Sequence, residues 1–386
     1  MIRSTSRKSL RWLGLCSIWT VFAFAGCADQ KPGDAGKAPT AGDQSTAAAP
    51  SAKAAGGVRR IILMTNGNSP FWDAARVGVD EAQTELKLDE SGLKASLEVN
   101  DGTIGGQIAK LRQFNSQTDI AGVAVTAIDA QNVNLAEEMR SLQKKGVAVI
   151  AFDSDLDRTK FRDTRTVFIG TDNKQAGIEL GHCAAQLLPE GGEYVTFVGL
   201  SSAGNAKERI AGFGEGAGSK FKAVDAMSDD FDRTRAKENV RNAIGNHPNV
   251  KVLAGIYSYN TPAIVDVVKE LGKRDTVKIL CFDAEPIAIQ QMGQGQIDAM
   301  IVQNPHQMGY QSVKFLKAVI TNDQATQKEM FPKLGEENGD IYDTGLKIVV
   351  PNADSPIKPQ GFGPKTEFLT LEVFQAWMKK YGLTAS

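Results

Sequence analysis

Several short apolar runs in this chain are followed at once by residues able to hold a ligand. Asp153 and Asp155 follow the run 147–152, Asp172 and Asn173 follow 167–170, and Asp283 follows 278–282. Asn205 and Arg209 stand where a loop after 193–198 enters a helical pattern. Phe231 and Asp232 lie past 223–227, Tyr257, Tyr259 and Asn260 past 252–256, and Gln303 with Asn304 past 299–302. Carboxylates accept hydrogen bonds, an arginine fork donates and amides do both, so this set can pair with vicinal hydroxyls. Aromatic faces can cover the C–H face of a ring. A closed polyol site needs this mixture, because each buried hydroxyl must be paired. A phosphate would call for more positive charge than Arg209 supplies.

The densest segment is Asn66-Gly67-Asn68-Ser69-Pro70-Phe71-Trp72-Asp73. It lies between an apolar run at 61–65 and an amphipathic run at 74–88, which reads as strand, turn and helix. Ser69 suits the N-cap and Pro70 the first helical position. Phe71 and Trp72 then sit in the first turn and, being adjacent, cannot share one helix face. At least one should face away from the core.

The elements that must position these residues alternate. Strands are expected at 61–65, 95–99, 122–126 and 147–152, with helices near 71–88, 105–117 and 132–145. After 167–170 the pattern repeats, with strands at 193–198, 223–227, 252–256, 278–282 and 299–302. Helices are expected between them, near 175–188, 207–220, 233–245, 262–271, 288–293 and 306–320. Strands separated by helices predict parallel sheets with right-handed crossovers. The fold class is therefore α/β, with two doubly wound lobes whose strand-end residues face one cleft. A late strand at 344–350 and a helix at 371–381 follow, and this tail should pack back across the lobes near the hinge. Each polar residue also has a plain structural use. Asp153 and Asp283 can cap helices, Arg209 can join a surface ion pair, Gln303 can be a solvated loop residue, and Phe231 can lie at the core edge. Their shared position is what argues for a site.

The start of the chain is an address. Arg3, Arg7, Lys8 and Arg11 precede a short apolar stretch from Trp12 to Ala25, as in a secretory signal. Phe24-Ala25-Gly26-Cys27 resembles the bacterial lipobox, with Phe where Leu is usual, which implies lipidation of Cys27. Residues 28–57 have no aromatic and no periodicity, and read as a flexible tether reaching about 30 Å. A domain so tethered works at a membrane surface outside the cytoplasm. Cys183 and Cys281, each in an apolar run, are expected to be buried free thiols.

Enzyme signatures are scarce. His182, His247 and His306 lack metal-ligand spacing, and no glycine-rich phosphate loop or nucleophile elbow follows a strand. Gly212-Phe213-Gly214-Glu215-Gly216 falls within a helical pattern. The expectation is a non-enzyme without cofactor or metal. A formal charge of −1 gives no footprint for nucleic acid. An enzyme using Asp153 and Asp155 as a carboxylate pair is the competing chemistry.

With Asn68-Ser-Pro-Phe-Trp72, Phe152-Asp153, Gly170-Thr-Asp-Asn173, Arg209-Ile-Ala-Gly-Phe213, Asp230-Phe231-Asp232, Cys281-Phe282-Asp283 and Val302-Gln303 in this order, the chain resembles the periplasmic sugar-binding proteins of the ribose-binding type. The resemblance runs from Val58 to about Val350. It implies two Rossmann-like lobes joined by a three-strand hinge: 58–172 plus 304–350 in the first, 173–303 in the second, after a signal peptide at 1–26 and a tether at 27–57, with 351–386 as a tail. It implies Phe71, Trp72 and Phe231 stacking on a sugar ring, and Ser69 where the ribose type has an Asn. Asp153 would accept from ring hydroxyls, Arg209 would donate, and Asp283 and Gln303 would add polar contacts. Asp155 stands in a segment where the family often has Asp-Arg, and Tyr259-Asn260 where it often has Asn-Asp, so both lie at the site or its rim but sugar identity does not transfer. The function implied is a monomeric, lipid-anchored periplasmic receptor that delivers a monosaccharide to the permease of an ABC importer. The alternative is the ligand-sensing component of a chemoreceptor or sensor-kinase system.

Overall fold

The computed structural model describes residues 57–201 and 203–386. The expected signal peptide, Cys27 and residues 28–56 of the tether lie outside the described residues. Along the chain run β1 (Arg59–Met64), α1 (Phe71–Glu85), β2 (Leu93–Glu98), α2 (Ile104–Ser116), β3 (Ile120–Val125), α3 (Val133–Lys144), β4 (Ala148–Phe152), α4 (Arg158–Phe161) and β5 (Phe168–Gly170). A second series holds α5 (Asn173–Leu187), β6 (Gly192–Val198), α6 (Gly204–Ala217), β7 (Phe221–Ser228), α7 (Arg233–Asn246), β8 (Val250–Gly255), α8 (Asn260–Glu270), β9 (Lys278–Phe282), α9 (Pro286–Gly293) and β10 (Ala299–Val302). The chain ends in α10 (Pro305–Ile320), α11 (Gln324–Met330), β11 (Ile341–Asp343), β12 (Leu346–Val350), β13 (Thr366–Thr370) and α12 (Leu371–Lys380).

Two sheets form. The first has the order β11-β5-β4-β3-β1-β2 and the second β13-β12-β10-β9-β8-β6-β7. Without the late strands, both read 2-1-3-4-5, the doubly wound order that opens a crevice where the strand order reverses. All pairings are parallel except β10 with β12. Central β3 is buried at all six positions, as a strand covered by helices on both faces must be. The apolar side chains separate by sheet face: Ile61 and Leu63 enter one cluster of the first lobe, Ile62 and Met64 the other.

The chain passes between the sheets three times, at 171–172, 303–304 and 344–345. Thr344 laces these passages together. Its N–H and hydroxyl both donate to the Gly170 carbonyl, at 2.9 and 3.1 Å, and its own carbonyl accepts from Asn304 Nδ2 at 3.4 Å.

One expectation needs correcting. The strand near 344–350, assigned to the first lobe, pairs antiparallel with β10 in the second sheet, where its fully buried run extends that sheet's edge. The run 167–170, read as a strand end, contains β5, while β13 lies outside the expected strands; its register partner β12 lies 20 residues earlier, Leu346 facing Thr366. The glycine-rich stretch 212–216 is inside α6. A Cβ on Gly212 or Gly216 would come within 2.2 or 2.0 Å of α5 carbonyl oxygens, so these glycines allow α5 and α6 to touch. Cys183 and Cys281 are buried and free, and they join the clusters on opposite faces of the second sheet.

Candidate functional site

The site is built from one repeated device. Phe152-Asp153 ends β4 and Phe282-Asp283 ends β9. Both aspartates adopt left-handed backbone, with φ of 61° and 62°. Each donates its N–H to the next strand, Asp153 to Ile169 O at 3.0 Å and Asp283 to Ile301 O at 2.7 Å. Left-handed φ at a non-glycine residue is disfavoured and clusters where function needs it. Neither aspartate caps a helix: Asp157 caps α4, and α9 follows Glu285.

Arg209 from α6 is 3% exposed. Its Nε donates to Asn173 Oδ1 at 2.9 Å and its Nη1 to Ile256 O at 3.2 Å, while the guanidinium lies 4.4 Å from the Phe282 ring centre. Burial pushes the Asp153 carboxyl up to about 7; the Arg209 charge opposes that rise and the Asp283 charge adds to it. Asp283 is raised as well, by burial first, with Arg209 and Gln303 acting against it. The charge of one arginine thus acts on two acids from different lobes. Gln303, at the second passage between lobes, donates Nε2 to both Asp283 oxygens at 3.0 and 3.2 Å. Its Oε1 is buried with no partner among the described residues.

An aromatic wall continues from Arg209. The Tyr257 ring lies 6.0 Å from the guanidinium, and its hydroxyl donates to Asn205 Oδ1 at 2.8 Å. Phe231 is parallel to Tyr257, with centroids 6.0 Å apart and planes 7° apart. Phe231 is 57% exposed and has φ of 63°, an unusual combination for a bulky side chain. Asp229 holds it there: its Oδ1 accepts from the Phe231 N–H at 2.9 Å and from the Tyr259 hydroxyl, and its Oδ2 accepts from Asn260 Nδ2 at 2.8 Å. Sequence reasoning missed Asp229, which follows β7 directly; the only signal was the doubled Asp229-Asp230 before Phe231. Asn173, Tyr257 and Asn205 stood at the expected strand ends, but the bonds of Asn173 to Arg209 and of Tyr257 to Asn205 did not show in the sequence.

Three expected contacts lie elsewhere. Trp72 is 4% exposed and sits in the first-lobe core, edge-on to Phe71 at 4.9 Å and to Phe152 at 5.7 Å. Phe71 keeps an exposed part, but it packs against the same cluster as Trp72. Asp155 is held by Arg165, whose Nε reaches its oxygens at 3.2 and 3.1 Å, and by Arg158 at 3.3 Å; Arg165 also binds Asp340. This pairing removes Asp155 as a carboxylate partner for Asp153. Asn260 is fully buried and spends its amide on Asp229 and on the Tyr257 N–H, at 3.1 Å. Ser69 accepts from the Phe71 N–H at 3.3 Å, in keeping with its role at the helix start, although α1 begins at Phe71 itself. Among the described residues, no group of His, Cys, Asp and Glu could hold a metal ion, and no helix is long and apolar enough to cross a membrane.

The family model for a periplasmic binding protein domain matches residues 60–324, more than half of the chain. The chain belongs to the periplasmic binding protein family. The D-allose-binding periplasmic protein of Escherichia coli strain K12 is 25% identical over 267 residues, 66% of this chain and 82% of that protein. An ABC transporter solute binding protein from Burkholderia graminis C4D1M, solved in complex with D-arabinose, has a TM-score of 0.64 at 25% identity, covering 76% of this chain and 96% of that one. The XylFII-LytSN complex includes a chain with a TM-score of 0.59 at 23% identity, covering 68% of this chain and 94% of that one. In this periplasmic binding protein, β11, β12, β13 and α12 lie beyond the residues that the family model matches.

Proposed function

We propose that this chain is an extracytoplasmic receptor that closes two lobes on a monosaccharide and delivers it to the permease of an ABC importer. One observation carries the reading: strand-end Asp153 and Asp283, from opposite lobes, both feel the charge of buried Arg209, and Gln303, bonded to Asp283, keeps a buried unpaired Oε1. Asp153 and Gln303 accept from ring hydroxyls, Arg209 donates, Asp283 acts with Gln303, and Phe231 covers the C–H face of the ring, with Phe71 facing it from the first lobe. The hydroxyls replace water at groups that are costly to leave unpaired, so the sugar favours the closed arrangement over the open one. The allose-binding relative and the arabinose-bound structure support a sugar as the ligand class. The lobes are residues 58–172 with 304–343, and 173–303 with the tail. Cys27, lipidated, tethers them to the membrane as a monomer.

Purified chain is tested by thermal shift with D-allose, D-ribose and D-arabinose, since only a ligand of the folded state raises the midpoint. At least one should raise it by several degrees; no shift with any monosaccharide sinks the reading. Cys27→Ser should release the chain from the membrane fraction. A sensing role is the second reading, favoured by the likeness to the XylFII-LytSN complex. Loss of sugar uptake on deletion of this chain supports import; intact uptake with lost sugar-dependent transcription supports sensing.

A further inference from the structure

The two strand-end aspartates are anchored differently on their far side. After Asp153, the Ser154 carbonyl accepts from the N–H of Ala127, just past β3, at 3.0 Å. The neighbouring strand thus holds the residue that follows the left-handed turn. In the second lobe the corresponding strand end is already spent, because the Ile256 carbonyl binds Arg209 and the Tyr257 N–H binds Asn260. Ala284 finds its partner 102 residues further along the chain: its N–H donates to Ser386 O at 2.8 Å, and Ser386 N–H donates back to Ala284 O at 3.3 Å.

The path that brings Ser386 there is built. Gly382, with φ of 65°, ends α12 in a Schellman turn: Gly382 N–H bonds Lys379 O at 3.2 Å and Leu383 N–H bonds Met378 O at 2.9 Å. The chain then turns inward, and Leu383, Ala385 and Ser386 are 8, 3 and 2% exposed. Leu383 joins Leu371, Phe374, Met378 and Ala284 in one apolar cluster, which also takes in Ala74 of α1. Tyr381 lies 4.9 Å from the His306 ring of α10 in the first lobe. From Tyr381 onward the chain end thus meets elements of both lobes, Tyr381 on α10 and Ser386 on Ala284.

We propose that the segment Gly382–Ser386, outside the residues matched by the family model, is a working part of the ligand site: Ser386 fixes Ala284 and thereby positions Asp283. Its backbone does for Asp283 what Ala127 does for Asp153. The Ser386 side chain has no part in this, since its Oγ has no partner.

The proposal rests on the sugar-site reading for affinity, but not for the anchoring itself, so the test has two arms. Hydrogen exchange is followed at Asp283–Glu285 and at Asp153–Ser154 in the full chain, in a chain ended at Tyr381, and in Gln375→Ala, on the exposed face of α12. Ending the chain at Tyr381 should speed exchange of the Ala284 amide at least tenfold while leaving Asp153–Ser154 unchanged, and Gln375→Ala should alter neither. Binding of whichever of D-allose, D-ribose or D-arabinose the full chain takes should weaken about tenfold on shortening and hold in Gln375→Ala. If the shortened chain does not fold, Gly382→Ala, which strains the left-handed turn, takes its place with the same expected direction. Unchanged exchange at Ala284 overturns the proposal, as does faster exchange with unchanged affinity, or an equal affinity loss in Gln375→Ala. If the full chain binds none of the three sugars, the receptor reading is what fails, and the exchange arm alone decides the anchor.

Discussion

Asp153 and Asp283 occupy equivalent places in the two lobes, yet they are committed to different degrees. Both follow a buried Phe, share left-handed φ and use the same amide bond to the next strand. Asp283 is already engaged, with Gln303 on both oxygens. The Asp153 carboxylate has no hydrogen-bond donor among the described residues and feels Arg209 only through its charge. A doubled fold thus supplies one prepared acid and one unpaired acid. The unpaired one has more to gain from a ligand, because its burial is offset only when hydroxyls arrive.

Removing what the two acids share should have the largest effect. Arg209→Met removes the charge that both acids feel and leaves Asn173 Oδ1 and Ile256 O without their donor. It should cost about 2 kcal/mol of stability and at least a hundredfold in sugar affinity, read by denaturant unfolding and calorimetry. The asymmetry is broken next by Asp153→Ala against Asp283→Ala. Asp153→Ala should weaken binding by about 2 kcal/mol with little loss of stability. Asp283→Ala should also lower stability by about 1 kcal/mol, since Gln303 Nε2 loses its acceptor inside the protein. Equal effects in both assays would refute the distinction.

The smallest effect is in pH. With its carboxyl raised to about 7, Asp153 holds a proton below that pH, and a protonated acid accepts poorly from a hydroxyl. Affinity should therefore rise about tenfold between pH 6 and pH 8, and Asp153→Asn should flatten the profile. The free protein should move the other way. Charging a buried acid is unfavourable, so Asp153 withdraws stability as pH rises from the ordinary carboxylate range through 7.

The alternation of apolar runs and helical patterns made both sheets legible, since each strand end is punctuated locally. Asp153, Asp283 and Gln303 stood out as candidates for the same reason, since a polar residue directly after a buried strand has few places to go, and Arg209 stood out at the loop-to-helix junction after β6. What failed depends on partners distant in sequence. Trp72 looked like a rim aromatic because nothing local shows that Phe152 lies 5.7 Å from it. Asp155 looked available because its guanidinium partner comes ten residues later, after α4. The strand at Leu346–Val350 showed its apolar pattern but not its sheet, which is decided by which edge is open. Asp229 and Ser386 left almost no signal, as the carboxylate of Asp229 and the backbone of Ser386 find partners distant in the sequence.

The lacing at Thr344 has a mechanical consequence. Three separate links could let the lobes twist, slide and open independently. Tied to one another through Gly170, Thr344 and Asn304, they form one laced hinge. Gln303 is adjacent to Asn304 and so stands beside that hinge. On the receptor reading proposed above, the lobes would swing about it as one pin, and a ligand drawn to Gln303 would act at the short end of a lever, where a displacement of a fraction of an ångström becomes a wide travel at the outer rims of the lobes.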